Sequence, residues 1–226
     1  MLDQLRKQLE GEVLEDKLTT ALYATDASVY RMVPMAVVYP KSISDIQKLI
    51  AFAKTEGIGL IPRTSGTSLA GQCVGKGMVV DVSKNFTKIL CLDLVKIQVT
   101  VEPGVIRDEL NQYLKPHGLF FGPNTSTANR CMIGGMVGNN SSGTTSIKYG
   151  VTRDKVISMN TVLSDSSEVT FKAISRQELE TKMTENTLEA SIYKNIFKEL
   201  SNRDIAKEIT DEFPKPEIHR RNTGYA

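Results

Sequence analysis

From Phe121 to Val156 the chain reads FGPNTSTANRCMIGGMVGNNSSGTTSIKYGVTRDKV. Nearly every residue there is small, amide-bearing or hydroxylic, yet the flanking segments carry the apolar patterning of a core. Such a stretch has little of its own to bury, so its backbone must be shaped to lie against something else. Paired glycines, Gly134 and Gly135, open a short apolar run, Met136 and Val137. Glycine lets another group approach the main chain closely, and a helix starting there leaves N–H groups free. Asn139, Asn140 and Gly143 tolerate positive φ, so consecutive amides there can form an anion-binding concavity. The alternative is a glycine-rich structural loop, and spacing within this one stretch does not decide between them.

The rest of the chain narrows the field. It has 226 residues with 28 Lys and Arg against 26 Asp and Glu, enough length for a real core and too little net charge to give a footprint for nucleic acid or an anionic membrane. No apolar run approaches the roughly 18–20 residues needed to span a bilayer. The N-terminus, MLDQLRKQLEGEVLEDK, is charged and lacks the apolar region of a signal peptide, so the expected location is the cytoplasm. Cys73, Cys91 and Cys131 are odd in number and widely spaced, which fits free thiols in a reducing compartment. No CxxC pair exists, so no zinc or iron–sulfur site is expected here.

Read in order, residues 1–18 alternate charge with leucines and suggest a short surface helix, followed by an irregular arm up to Pro34. Ala36 to Tyr39 reads as a strand. Ser42 and Asp45 resemble a capping box ahead of Ile43, Ile46, Leu49, Ile50 and Ala53 at helical spacing, with Gly57 as the stop. Ile58 to Pro62 and Met78 to Val82 read as two more strands. Strand, helix, strand implies a right-handed parallel crossover, which places the loop RTSGTSLAGQCVGKG at the carboxyl end of a strand, where open α/β sheets bind ligands. From Lys88 the pattern becomes antiparallel: Ile97, Val99 and Val101 alternate with polar residues and can pair with 88–92. Ile106, Leu110, Tyr113 and Leu114 line a helix that Pro116 and Gly118 end. Residues 156–163 and 168–171 flank the turn SDSS as a second hairpin, and 176–205 carry helical spacing.

The first loop fails two familiar nucleotide signatures. Gly66 and Gly71 have Walker A separation, but Gln72 stands where the phosphate-binding Lys must be. Gly75-Lys76-Gly77 runs straight into a strand and lacks the third glycine of a dinucleotide fingerprint. What remains is a loop of backbone amides and hydroxyls (Thr64, Ser65, Thr67, Ser68) able to satisfy a pyrophosphate without a cationic side chain. A second loop of the same chemistry weakens the purely structural reading of either.

The series PRTSGTSLAGQ, VEPGV, FGPNTSTANRCMIGGMVGNNSSG and YGVTRDKV resembles the FAD-binding domain of the p-cresol methylhydroxylase/vanillyl-alcohol oxidase superfamily. It is most similar to the 2-hydroxyacid branch: D-lactate dehydrogenases, glycolate oxidase subunits and D-2-hydroxyglutarate dehydrogenases. YATDASVY and RRNTGYA look like that branch too, particularly its long bacterial members fused to an iron–sulfur region. The resemblance implies an α+β, two-lobed fold of the p-cresol methylhydroxylase type. An N-terminal helix and arm (1–33) would precede a small parallel α/β lobe (34–87) and a larger mixed or antiparallel sheet lobe with flanking helices (88–213). Residues 214–226 would be a linker toward a missing substrate, or cap, domain.

The same resemblance implies noncovalent FAD held between the lobes. Its first loop would supply Pro62, Arg63, Thr64, Ser65, Gly66, Thr67, Ser68, Gly71 and Gln72 around the pyrophosphate. Thr64 and Ser65 stand where the family more often has glycines. The second would supply Pro123, Thr125, Ser126, Thr127, Ile133, Gly134, Gly135, Asn139, Asn140, Gly143, Tyr149 and Gly150, with Val169 near the adenosine. No His lies between Arg63 and Gly77 to attach the flavin, and Cys131 reads as a small core thiol. Arg130 and Arg153 read equally as surface charges or flavin-side contacts.

Oxidising a 2-hydroxy acid requires a hydride acceptor, a base and a cation for the carboxylate. The flavin supplies the first. Of the two histidines, His117 reads as a solvated helix end and His219 as an exposed tail residue, so no catalytic residue is assigned here. In the resembled family the base and the carboxylate-binding Arg come largely from the cap, so the chain is expected to be inactive alone. The expected substrate is a D-2-hydroxy acid, D-lactate foremost, with electrons passing to an iron–sulfur region, quinone or cytochrome. Two rivals remain: a UDP-N-acetylenolpyruvoylglucosamine reductase-like enzyme, and a flavin-binding module without a reaction.

Overall fold

The computed structural model describes residues 1–213, 215 and 217; the tail containing His219 and RRNTGYA lies outside the described residues. The N-terminus is part of the core. Helix α1 (Leu2–Arg6) buries Leu2 and Leu5, correcting the expectation of a surface helix, and strand β1 (Glu12–Leu14) follows. The physical reason is Asp45: its buried carboxylate accepts from the main-chain N–H groups of Glu10 (3.0 Å), Gly11 (2.9 Å) and Lys41 (2.9 Å), pinning this segment against the sheet. Ser42 does cap the next helix by accepting from Asp45 N–H, but the Asp45 carboxylate is spent elsewhere, so only half of a capping box forms. Helix α2 (Lys17–Leu22), capped by Asp16, replaces the first part of the irregular arm; its leucines are exposed, so no periodicity betrays it.

Strand β2 (Ala36–Tyr39), helix α3 (Ile43–Glu56), strand β3 (Leu60–Arg63) and strand β4 (Met78–Asp81) complete the first layer. β2 and β4 are almost wholly buried, as continuous apolar runs in parallel sheets require. The sheet order is β1-β2-β4-β3, with β1 antiparallel and the others parallel. Thus β4 inserts between the two strands joined by α3. Leu49 and Ala53 of α3 pack on Val38, Met78 and Val80, and Gly57 ends the helix in the left-handed region.

Beyond residue 88 the strands are antiparallel and form two ribbons. Strands β5 (Ile89–Asp93) and β6 (Gln98–Val101) pair with a register shift near Cys91. Helix α4 (Arg107–Leu114) covers them through Leu110 and Leu114, joined by Val105, Phe121 and Ile133. Short helices α5 (Ile133–Gly138) and α6 (Ser146–Tyr149) lead to the ribbon β7 (Ser158–Val162) and β8 (Glu168–Lys172). That ribbon hangs on α3: the Gln47 amide donates to Ser166 O (3.0 Å), and Ser166 Oγ returns a bond to Gln47 O (3.1 Å). Residues 176–212 form three helices, α7 (Arg176–Thr184), α8 (Leu188–Leu200) and α9 (Arg203–Glu212), because Thr187 and Asn202 each cap a new start. No helix among the described residues is long and apolar enough to cross a membrane.

Candidate functional site

The first loop leaves the sheet at Arg63, whose carbonyl accepts from Val82 N–H (3.0 Å) on the neighbouring strand exit. Pro62, just before it, is exposed. The Arg63 side chain turns back toward the N-terminal arm. Its Nη1 donates to Thr25 O (2.9 Å), with longer contacts to Cys73 O (3.4 Å) and Tyr23 O (3.5 Å), and the guanidinium lies 4.9 Å from the Tyr23 ring centre. Gly66 adopts φ 66°, and a side chain there would stand 2.5 Å from that guanidinium. Ser68 Oγ donates to Gln72 Oε1 (2.7 Å) and accepts from Ala70 N–H (3.2 Å), closing the turn before Gly71, which Tyr30 covers. Behind the loop, Tyr23 donates to the buried Asp81 carboxylate (2.5 Å); burial, then that carboxylate, raises the phenol well above its ordinary pKa.

The second loop is anchored at both ends. Pro123 is buried, and its carbonyl accepts from Arg107 Nε (3.2 Å). A turn over 125–131 follows: Thr127 O accepts from Arg130 N–H (2.9 Å) and Cys131 N–H (2.7 Å), while Thr125 Oγ1 sits 3.2 Å from Cys131 Sγ. At α5 the structure narrows the expectation of free helix-start amides to one, Gly135 N–H, which among the described residues donates to no protein atom. Ile133 N–H donates to Val105 O (2.9 Å) and Gly134 N–H to Pro103 O (2.8 Å), so the helix start is spliced onto the VEPGV turn. Of Asn139, Asn140 and Gly143, only Asn140 takes positive φ (47°); it is buried and its Oδ1 accepts from Arg153 N–H (3.0 Å). Asn139 donates to Ser141 Oγ (3.1 Å). Gly143 is glycine for a different reason, since any Cβ there would overlap the Asn124 carbonyl oxygen. Tyr149 meets Phe120 edge to face at 5.1 Å, and with Gly150 it lines an open cavity of about 310 Å³ that also holds Lys148 and Lys155.

The two loops meet. A Cβ on Gly135 would lie 2.7 Å from Thr64 Oγ1, and one on Gly134 would lie 2.5 Å from Pro103 Cβ. Pro103 belongs to the turn whose Gly104 N–H donates to Phe86 O (2.7 Å), just past the exit of β4. The first residue of one loop therefore packs on the middle of the other, and the paired glycines allow the chain's own segments to approach. Among the described residues, the N–H groups of Ser65, Thr67 and Ser126 donate to no protein atom. Unpartnered amides beside hydroxyls on two touching loops suit a diphosphate, which needs donors more than a formal cation. Val169 is not brought into this meeting point: on β8 it pairs with Thr161 of β7 and lines a separate cavity of about 680 Å³ against α7. Arg130 and His117 are exposed, His117 beside Tyr113.

Sequence reasoning missed the arm, residues 23–35, which lies along the first loop: Ala27 N–H donates to Gly66 O (3.1 Å), and Met35 N–H to Gly77 O (3.0 Å). The available signal was a Tyr and an Arg near segment ends, each able to reach across to carbonyls or a buried carboxylate.

A sequence-family profile described as FAD binding domain matches residues 34–172, more than half of the chain. The chain belongs to that family. Its cofactor is therefore FAD, and the profile spans both loops just described. The chain is 40% identical over 166 residues to D-2-hydroxyglutarate dehydrogenase of Haemophilus influenzae, which covers 72% of this chain and 16% of the relative. It is 37% identical over 213 residues to the Escherichia coli protein of the same name, covering 93% of this chain and 20% of the relative. The mitochondrial D-lactate dehydrogenase (cytochrome) of Kluyveromyces lactis is 34% identical over 143 residues, 62% of this chain and 24% of that one. The chain thus spans about a fifth of the length of these relatives. Among solved structures, Physcomitrella patens BBE-like 1 superposes with TM-score 0.68 at 20% identity over 79% of this chain and 39% of its own. p-Cresol methylhydroxylase gives TM-score 0.65 at 18% identity over 75% and 34%. These two establish the p-cresol methylhydroxylase type of FAD-binding fold.

Proposed function

We propose that this FAD binding domain is the cofactor-holding part of a flavoenzyme that oxidises a D-2-hydroxy acid, with the FAD bound noncovalently. The observation that carries the reading is the contact between Thr64 and Gly135, which makes two amide-rich loops one surface. In this reading the amides of Ser65, Thr67 and Ser126, with the hydroxyls around them, hold the diphosphate, and the wall from Pro123 to Gly150 supports the flavin side. When bound, FAD supplies the two-electron acceptor. The chain's own contribution is to bind and orient it. Noncovalent attachment is supported by Cys131, a buried thiol occupied with Thr125 Oγ1 and Met136 Sδ (3.5 Å).

Of the candidate substrates, D-lactate is favoured from the sequence, while the names of the bacterial relatives support D-2-hydroxyglutarate. Electrons would pass onward to an iron–sulfur, quinone or cytochrome partner, in the cytoplasm. The test has two parts. Titration of the chain with FAD should quench flavin fluorescence at one equivalent, and acid precipitation should leave the flavin in the supernatant. The full-length protein should then reduce a dye with one of the two acids; flavin binding without dye reduction by any 2-hydroxy acid would favour a non-catalytic module. Rapid flavin reduction by NADPH would revive the UDP-N-acetylenolpyruvoylglucosamine reductase-like alternative.

A further inference from the structure

The arm at residues 23–35 is fastened to the first loop by main-chain bonds from Ala27 and Met35 and, at its start, by one charged side chain. Arg63 reaches the carbonyls of Thr25 (2.9 Å), Cys73 (3.4 Å) and Tyr23 (3.5 Å), so a single guanidinium gathers the start of the arm and the far end of the loop. It also covers the Tyr23 ring at 4.9 Å, and Tyr23 is itself locked by its hydroxyl bond to buried Asp81 (2.5 Å) and its contact with Tyr39 OH (2.8 Å). Among the described residues the guanidinium has no ion pair; its charge is committed to main-chain carbonyls and an aromatic face. All three carbonyls are reached from one nitrogen, Nη1, while the guanidinium lies over the Tyr23 ring; a Lys ammonium, on a shorter stem and without a planar face, is not built to do both. The absence of a side chain at Gly66 leaves the space the guanidinium occupies. Further along, Cys73 Sγ reaches Asp26 Oδ2 (3.5 Å) and Ala27 N–H reaches Gly66 O (3.1 Å), so the arm follows the loop rather than crossing it at one point.

We propose that Arg63 is a positioning residue: its side chain clamps the 23–35 arm along the first loop, and the arm in turn fixes the backbone path that presents the amides of Ser65 and Thr67. Family resemblance placed Arg63 among the pyrophosphate contacts; the clamp assigns its side chain a different task. The consequence for flavin retention rests on the proposed FAD site, whereas the clamp itself does not.

The test uses the whole 226-residue chain and begins without flavin. Hydrogen exchange of peptides covering 24–35 should accelerate at least about tenfold in both Arg63→Gln and Arg63→Lys, the factor expected on losing a hydrogen bond to a charged group. Peptides from β2 and β4 should exchange as in the wild type, which separates a released arm from a damaged fold. Tyr23→Phe, which removes the hydroxyl lock but keeps the ring, should give a smaller acceleration and serves if Arg63→Gln does not fold. Unchanged arm exchange in Arg63→Lys and Tyr23→Phe overturns the clamp. With FAD added, both Arg63 variants should release it about tenfold faster. Wild-type retention in Arg63→Lys would instead mean that a cation acting on the diphosphate is what matters, and would overturn the positioning role. Failure of the wild-type chain to bind FAD would defeat the cofactor reading alone, since the exchange result still decides the clamp.

Discussion

Gly143→Ala is the substitution from which the second loop has most to lose. A Cβ at 143 would overlap the Asn124 carbonyl oxygen, and an ordinary carbon–oxygen contact needs roughly 3.3 Å, so the two limbs of the loop must part by about 2 Å. One hydrogen bond crosses between the limbs, Thr145 Oγ1 to Gly122 O (2.9 Å), and it is carried by a turn closed by Gly143 N–H to Ser146 Oγ (3.0 Å) and Ser146 N–H to Gly143 O (3.0 Å). Losing the crossing bond costs about 1 kcal/mol and the forced overlap about 1–3 kcal/mol more, about 2–4 kcal/mol in all, or roughly 4–16 °C of melting temperature for a chain of this size. Gly118→Ala is the control. Gly118 also has a special backbone, φ 70°, but nothing lies within 4 Å of its missing Cβ, so only about 1–2 kcal/mol of left-handed strain is expected. Thermal unfolding followed by circular dichroism, together with FAD titration, gives the readout: Gly143→Ala should lose both stability and flavin, Gly118→Ala only a little stability. If Gly143→Ala melts within a degree of wild type and binds FAD equally well, the account of the loop as two limbs in direct contact is wrong.

Asp45→Ala strands three main-chain donors that now share one buried carboxylate, and should cost about 3–5 kcal/mol in a denaturant titration; a loss below 1 kcal/mol would show that the N-terminal segment is not pinned there. Gln47→Ala should speed hydrogen exchange in the β7–β8 ribbon while β2 and β4 stay protected, because its side-chain amide bonds to Ser166 O and Glu168 Oε1 fasten that ribbon to α3. Equal protection in all strands would contradict this. Burial pushes the Cys73 thiol up to about 11, so the folded chain keeps its proton where the unfolded chain, near 8.5–9, loses it. Stability should therefore fall as pH rises from about 9 to 11, and iodoacetamide at pH 8 should modify exposed Cys91 well before Cys73. Mass spectrometry showing equal labelling of the two would refute the assigned environment.

The elements legible in the sequence are those whose pattern answers to a single local cause. β2 and β4 read as unbroken apolar runs, α3 carries its own cap and glycine stop, and β6 alternates with period two. Other features answer to distant partners. Nothing in the run Met78–Asp81 says that it lies between β2 and β3, because register in a parallel sheet is set by packing. α1 has five residues, too few to show a periodicity, so burial of Leu5 could not be read. The glycines show the same division. Their clustering pointed to close approach, but which segment approaches is tertiary information: Pro103 at Gly134, Thr64 at Gly135, Asn124 at Gly143. Of Asn139, Asn140 and Gly143, positive φ fell to Asn140, whose side chain gains a buried bond there.

The claim on which the functional account depends is that the two amide-rich loops bind one FAD together. Amide-resolved NMR during an FAD titration tests it directly, following the N–H resonances of Ser65 and Thr67 in one loop and Ser126 in the other. Both sets should shift with a common midpoint and saturate at one FAD per chain. Two separate midpoints, or a response confined to a single loop, would contradict it.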